Sequence, residues 1–381
     1  MAALPHQSFL RSPVRFNATA ATPAAAADAV SSLRSSQLQV GAWMLGCTSL
    51  IFGAVVLGGV TRLTESGLSM TKWHPIKGMK APTTQAEWEA EFEHYKQFPE
   101  YKYSVGMTLE DFKQIFFMEY AHRMWGRLIG MAFILPGAYF ALKKKIQPQL
   151  RPVVLAIGGL IGFQGVLGWL MVKSGLDYDP QGKHAPRVSQ YRLAAHLGSA
   201  FVLYVMTLYT GLLHVLPAQP LQGDLKRLRT FRKLAHGIAG LVFVTAISGA
   251  FVAGMDAGLI YNEFPFMGES LVPTDINVLQ PIWKNVFENP ATAQFDHRVL
   301  GTSTGLAVAG LWAYARKLSL PPRARIATHA MLGMVAVQIT LGISTLLYFV
   351  PTPLAATHQA GSLGLLTFAT WLLYELRAVP K

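Results

Sequence analysis

The fifteen residues "FFMEYAHRMWGRLIG" (116–130) place Glu119, His122, Arg123 and Arg127 inside an otherwise apolar run with helical character. Charge in such a run is costly, about 2.5–3.5 kcal/mol per residue near the middle of a bilayer. A second stretch, "ATAQFDHRVLGTSTG" (291–305), repeats the His–Arg pair but puts Gln294 where the first has Glu119.

The surrounding composition is that of a membrane protein. Of 381 residues, 51% are hydrophobic and only 14% charged, against about a quarter charged in soluble chains. Eight runs reach the ~20 apolar residues a bilayer needs: 41–61, 118–141, 152–172, 193–215, 232–254, 296–315, 326–349 and 356–376. The expected fold is therefore an all-α membrane protein with eight transmembrane helices. The loops divide by charge. One side, with both termini and the basic connections "KKKIQPQLR", "KRLRTFRK" and "ARKLSLPPRAR", holds 18 of the 33 Lys and Arg but only Asp28, Asp224 and Glu375 of the 20 acids. The positive-inside rule puts that side in the matrix or cytoplasm. The net charge of +13 is thus a topology signal. No single basic face with stacking aromatics suggests nucleic acid as a partner. Residues 1–40, rich in Ala, Ser and Arg and without an acid before Asp28, read as a mitochondrial targeting or disordered leader. The single cysteine, Cys47, excludes an intrachain disulfide and reads as core filler.

The chain repeats at long period. "EYAHRMWGRLIGMAF" (119–133) aligns with "QFDHRVLGTSTGLAV" (294–308) at an offset of 175, and "FQGVLG" (163–168) with "VQITLG" (337–342) at 174. "LAAHLGSAF" (193–201) aligns with "AATHQAGSL" (355–363) at 162, and "TESGL" (64–68) with "MDAGL" (255–259) at 191. Four matches in one order imply two pseudo-symmetric four-helix halves, 41–216 and 231–377, in a parallel tandem repeat.

Of eleven histidines, His6 is in the leader, and His74, His94 and His184 are in loops on the acidic side. His214, His236 and His329 sit toward the basic ends of their spans, where helix packing explains them. His122, His196, His297 and His358 differ. Each is in the first turns of an even-numbered span, two per half, at nearly one expected depth. Neutral imidazole is a good iron ligand, and facing helices build cofactor sites in bundle cores. The pattern points to a bis-His haem in each half. Di-metal sites lack carboxylates on three of the four helices. Gly158, Gly159, Gly162, Gly165, Gly168 and Gly198 would admit a flat ring but fit plain helix packing equally well. Glu119 shares a helix face with His122 and is ionisable where Gln294 is not, so it is the candidate acid–base group; an ion pair with Arg123 or Arg127 is the competing reading. Arg123 and Arg298, present in both halves, are candidate partners for haem propionates, or simply snorkel.

"GGVTRLTESGLSMTKWHPIKG" (58–78), "EWEAEFEHYKQFPEY" (87–101), "GMTLEDFKQIFFMEYAHRMWGRLIG" (106–130) and "FDHRVLG" (295–301) resemble haem A synthase of the mitochondrial and alphaproteobacterial type, from about residue 40 to the C-terminus. The family's other branch carries a cysteine pair in its first external loop, and this chain has none there. The resemblance implies an inner-membrane oxidoreductase that turns the C8 methyl of haem O into a formyl group by successive hydroxylations, giving haem A for cytochrome c oxidase. It implies that His122 and His196 hold the substrate haem and that Glu119 is needed for the chemistry. His297 and His358 would be the axial ligands of a haem b cofactor. Expected partners are the lipid bilayer, haem O synthase, a ferredoxin-like electron donor and further copies of the chain. The long loop 62–117, with Trp73 and Trp88, would cover the substrate or dock a partner. Two other classes compete: a di-haem b-type electron carrier, which needs no asymmetric Glu, and a transporter that carries haem unchanged.

Overall fold

The computed structural model describes residues 23–73, 80–104, 106–176 and 188–380, with side chains from residue 31. The leader before residue 23, together with His74 and His184, lies outside the described residues. Ten α-helices are described: α1 (Pro23–Leu63), α2 (Gln85–Tyr95), α3 (Leu109–Leu142), α4 (Arg151–Gly175), α5 (Gln190–Val215), α6 (Leu225–Gly254), α7 (Asn285–Glu288), α8 (Pro290–Ala315), α9 (Pro322–Leu347) and α10 (Thr352–Glu375). No β-strand occurs among the described residues.

Eight of these helices have 24 residues or more. Six (α1, α3, α4, α5, α6 and α9) are both long and apolar enough to cross a bilayer. The helices α8 and α10 match expected spans in position but fall below that apolarity. Their polar residues, Gln294, Asp296, His297 and Arg298 on one and His358 and Gln359 on the other, dilute them.

Two helices start earlier than expected. The first begins at Pro23, inside the stretch read as the leader, and runs on without a break to Leu63. The helix α3 begins at Leu109 because Thr108 and Asp111 form a reciprocal capping box. Apolar-run counting does not register a polar helical extension. His196, His297 and His358 fall six or seven residues into their helices and His122 thirteen, because α3 projects about two turns further.

That projection is roofed by a separate aromatic cluster. Met70, Trp88, Phe92, Tyr95, Phe112 and Phe116 form a buried core among α2, the loop after α1 and the start of α3. A capping box of Thr84 and Glu87 opens α2. Glu87 accepts from the Thr83 and Thr84 amides, which hold its pKa down to about 2.

Two sets of four helices show the same pattern of contacts. The first closes a ring through α1–α3, α3–α4, α4–α5 and α5–α1, the second through α6–α8, α8–α9, α9–α10 and α10–α6. The contacts α5–α6, α1–α10 and α5–α10 join them. The basic connections meet at one end. There Arg34 donates to the carbonyls of His214 and Val215, Arg229 to that of Pro380, and Arg232 to that of Val379. Arg323 binds the fully buried Glu375 through Nε (2.9 Å) and Nη2 (3.2 Å), and Trp371 Nε1 adds a third donor at 3.0 Å.

Removing one partner of a buried pair strands the other's charge. Glu375→Ala is therefore expected to destabilise the protein by about 2–3 kcal/mol, Arg323 being partly solvated. Thermal unfolding in lipid nanodiscs reads this as a lower midpoint; an unchanged midpoint contradicts it.

Candidate functional site

Each of the four histidines of the even-numbered spans stands against a glycine of the preceding long helix. A Cβ built on Gly58 of α1 would lie 2.9 Å from Cε1 of His122, and one on Gly168 of α4 would lie 3.8 Å from Cε1 of His196. A Cβ on Gly249 of α6 would lie 3.1 Å from Cε1 of His297, and one on Gly342 of α9 would lie 2.8 Å from Cε1 of His358. The glycines obey the repeat: 58 and 249 are 191 apart, 168 and 342 are 174 apart, the offsets of the flanking motifs. Only Gly168 was singled out in the sequence. The other three carried no spacing signal of their own, although Gly58 opens one of the family-like motifs.

The histidines come together in pairs. His297 and His358 have ring centroids 6.3 Å apart and planes at 89°. His122 lies within electrostatic reach of His196. Nδ1 of His122, His196 and His358 is buried without a hydrogen-bond partner; Nδ1 of His297 meets Ser248 Oγ at 2.7 Å. Two metal–imidazole bonds of ~2 Å on opposite faces of one iron, plus the half-width of each ring, put the ring centres about 6 Å apart. The His297–His358 spacing fits that arrangement. Among the described residues no three potential metal ligands cluster. Paired imidazoles suit a metal that brings its own equatorial donors, as a haem does. His214, His236 and His329 instead bond to the Thr210 carbonyl, the Arg232 carbonyl and Trp312 Nε1, the packing roles expected of them.

The two pairs differ in what stands three residues before the α3 and α8 histidines. Glu119 is 3% exposed. Its Oε2 accepts from Ser69 Oγ at 2.8 Å and from the Met70 amide at 2.6 Å, and its Oε1 from Arg123 Nη2 at 2.6 Å. Arg123 also donates to the carbonyls of Met70 (2.7 Å) and Lys72 (3.1 Å) and stacks 5.0 Å from the Trp73 ring. The competing ion-pair reading of Glu119 is thus the observed geometry, with Arg123 as the partner. Gln294 is also 3% exposed. Its Nε2 donates to the Tyr261 carbonyl at 3.0 Å, while Oε1 is buried without a partner. Arg298 donates to the carbonyls of Tyr261 and Phe266, both at 3.0 Å. Both arginines therefore bind the loop after the preceding odd-numbered span. Trp88, expected to cover a ligand or a partner site, is instead interior to the aromatic roof, 5.1 Å from Phe116. Ser69 and the Met70 amide were missed, since nothing in their spacing marks them.

The model of the COX15-CtaA family, cytochrome oxidase assembly protein, matches residues 41–370. The chain belongs to this family. Among curated relatives it is 57% identical to haem A synthase COX15 of Bos taurus over 349 residues, 91% of this chain and 84% of the relative. It is 45% identical to haem A synthase of Nitrosospira multiformis over 345 residues, 90% of this chain and 94% of the relative. A haem A synthase–mitochondrial ferredoxin fusion protein of Schizosaccharomyces pombe is 41% identical over 391 residues, 94% of this chain and 63% of the relative.

The glycine distances rank three substitutions. Gly58→Ala and Gly342→Ala each drive a Cβ inside contact distance of an imidazole, whereas Gly168→Ala makes an ordinary contact. Haem content and the optical spectrum of the purified variants are expected to change for the first two and stay near wild type for the third. Equal loss in all three would contradict the ranking.

Proposed function

We propose that this chain is a haem A synthase, an inner-membrane oxidoreductase that converts the C8 methyl of haem O to a formyl group. All eight long helices would cross the membrane as two pseudo-equivalent four-helix bundles. Both termini would lie in the mitochondrial matrix with the basic connections. His122 and His196 would hold haem O as substrate, and His297 and His358 would hold haem b. The observation that carries this reading is the asymmetry of two otherwise matched sites: a carboxylate at Glu119, an amide at Gln294.

In two successive hydroxylations a C–H bond becomes C–OH twice, and the resulting diol loses water to leave the formyl group. Each hydroxylation is a two-electron oxidation of the carbon, with dioxygen as the terminal oxidant, and a proton leaves the carbon as the electrons do, so the site needs a proton acceptor. Glu119 is one. Its ion pair with Arg123 and the Ser69 and Met70 donors fix its orientation. The Gln294 amide accepts no proton at neutral pH, which suits a site that holds a cofactor without changing it. Haem b, when bound, supplies one-electron transfer. Its side of the protein touches the other directly. Gln359, next to His358, donates to the Val55 carbonyl at 3.0 Å and rests on Gly59, next to Gly58. A ferredoxin-like electron partner is supported by the fused relative.

Glu119→Gln is expected to keep bound haem while abolishing haem A formation, by at least about a hundredfold. The check is chromatography of haem extracted after supply of haem O, reductant and oxygen. Normal haem A output would remove Glu119 from the chemistry. In wild type the same extraction should yield haem A and a hydroxylated intermediate; haem O and haem B alone would favour the electron-carrier reading.

A further inference from the structure

The helix α4 stands away from its neighbours where its counterpart α9 is packed against them. A Cβ built on Gly305 of α8 would lie 2.7 Å from Cδ1 of Ile339 of α9. At the repeat offsets of 175 and 174, the matching residues are Gly130 of α3 and Gly165 of α4. A Cβ built on either meets nothing within 4 Å among the described residues. Against α5 the difference runs the same way. Gln338 reaches past Gly361 to the His358 carbonyl of α10, whereas Gln164 stops at the hydroxyl of Ser199, which stands where Gly361 does. A Cβ on Gly168 would lie 3.8 Å from the His196 ring, and one on Gly342 would lie 2.8 Å from that of His358. As a result α4 buries Ile157 and Gly175, where α9 buries Ala324, Ala327, Thr328, Met331 and Val335.

The gap between α3 and α4 has two ends and an open side. Toward the basic connections Phe133 closes it, with Cε1 3.3 Å from a Cβ built on Gly158. At the other end His196 stands beside Gly168, its Nδ1 buried without a hydrogen-bond partner. Gly158 and Gly168 are ten positions apart on one helix, which makes the gap ~15 Å long. Gly162 and Gly165 are exposed, so its side opens outward from the apolar helices. A glycine kept for close helix packing would meet a neighbour once given a side chain. Gly126, Gly130, Gly162 and Gly165 meet none among the described residues. What they keep is room, running from a histidine with an unused nitrogen into the lipid-facing side of the bundle.

Haem O differs from haem B in carrying a long isoprenoid tail where haem B has a vinyl group. We propose that the α3–α4 gap receives the tail of haem O, and that Gly165 against Ile339 sorts the two haems between the histidine pairs. The tail lies from His196 toward Phe133 with its open side on lipid, so the substrate enters sideways from the bilayer and its tail never crosses water. Ile339 fills the matching space beside the His297–His358 pair, which suits a haem without a tail. This inference rests on the reading of His122 and His196 as the substrate pair.

The test titrates purified protein in lipid nanodiscs, its cofactor haem in place, with haem O and separately with haem B. Binding is read from the optical spectrum and from chromatography of the haem retained. Wild type should take up haem O in preference to haem B. Gly165→Ile should weaken haem O binding by about tenfold or more and leave haem B binding unchanged, because only the tail is obstructed. An undiminished preference for haem O, or equal weakening of both haems, overturns the proposal. If that variant does not assemble, Ile339→Gly carries the test in protein that also has His122→Ala and His196→Ala. There the remaining pair should bind haem O as well as haem B, and haem B alone overturns the proposal. Wild type that binds no haem O at all would overturn the substrate reading of the first pair, and this inference with it.

Discussion

A ring as broad as imidazole stands between two packed helices only where the helix opposite has no Cβ. That constraint holds at three of the four histidine positions, where a built Cβ on Gly58, Gly249 or Gly342 would lie 3.1 Å or less from the ring; at Gly168 the distance is 3.8 Å, an ordinary contact. It fixes which faces of α1, α6 and α9 turn toward α3, α8 and α10. The supporting contacts repeat as well. Gln164 of α4 donates to Ser199 of α5 at 2.7 Å, and Gln338 of α9, 174 residues on, donates to the His358 carbonyl of α10 at 2.9 Å. In the second half Gly361 admits Gln338, whose Oε1 would lie 2.2 Å from a Cβ there.

On this matched scaffold the two halves present opposite chemistry at equivalent points. Met70 and Tyr261 are 191 residues apart, the offset of the loop motif. The first gives an amide N–H to Glu119, and the second gives a carbonyl to Gln294 and Arg298. A buried carboxylate left alone would cost several kcal/mol. Three donors, one of them a guanidinium, offset that cost at Glu119. A carboxylate is thereby held three residues before His122, and an amide three residues before His297.

Much of this was readable from residue spacing, because duplication turns weak signals into registered ones. The four histidines, the Glu119–Gln294 difference and the repeat offsets all follow from alignment of the chain with itself. The helix starts at Pro23 and Leu109 did not. Hydropathy sees bilayer-length apolar runs, whereas helix starts are set by local caps such as Thr108 with Asp111. Arg123 and Arg298 were read as partners for propionates, yet both spend donors on loop carbonyls. Backbone acceptors leave no mark in a sequence.

The division of labour between the halves is tested most directly by removing one histidine pair at a time and identifying the haem that remains. Purified protein carrying His122→Ala with His196→Ala should retain haem B and lose haem O and haem A. Protein carrying His297→Ala with His358→Ala should lose haem B and still take up haem O. The same haem mixture in both double variants, at similar occupancy, would contradict the account.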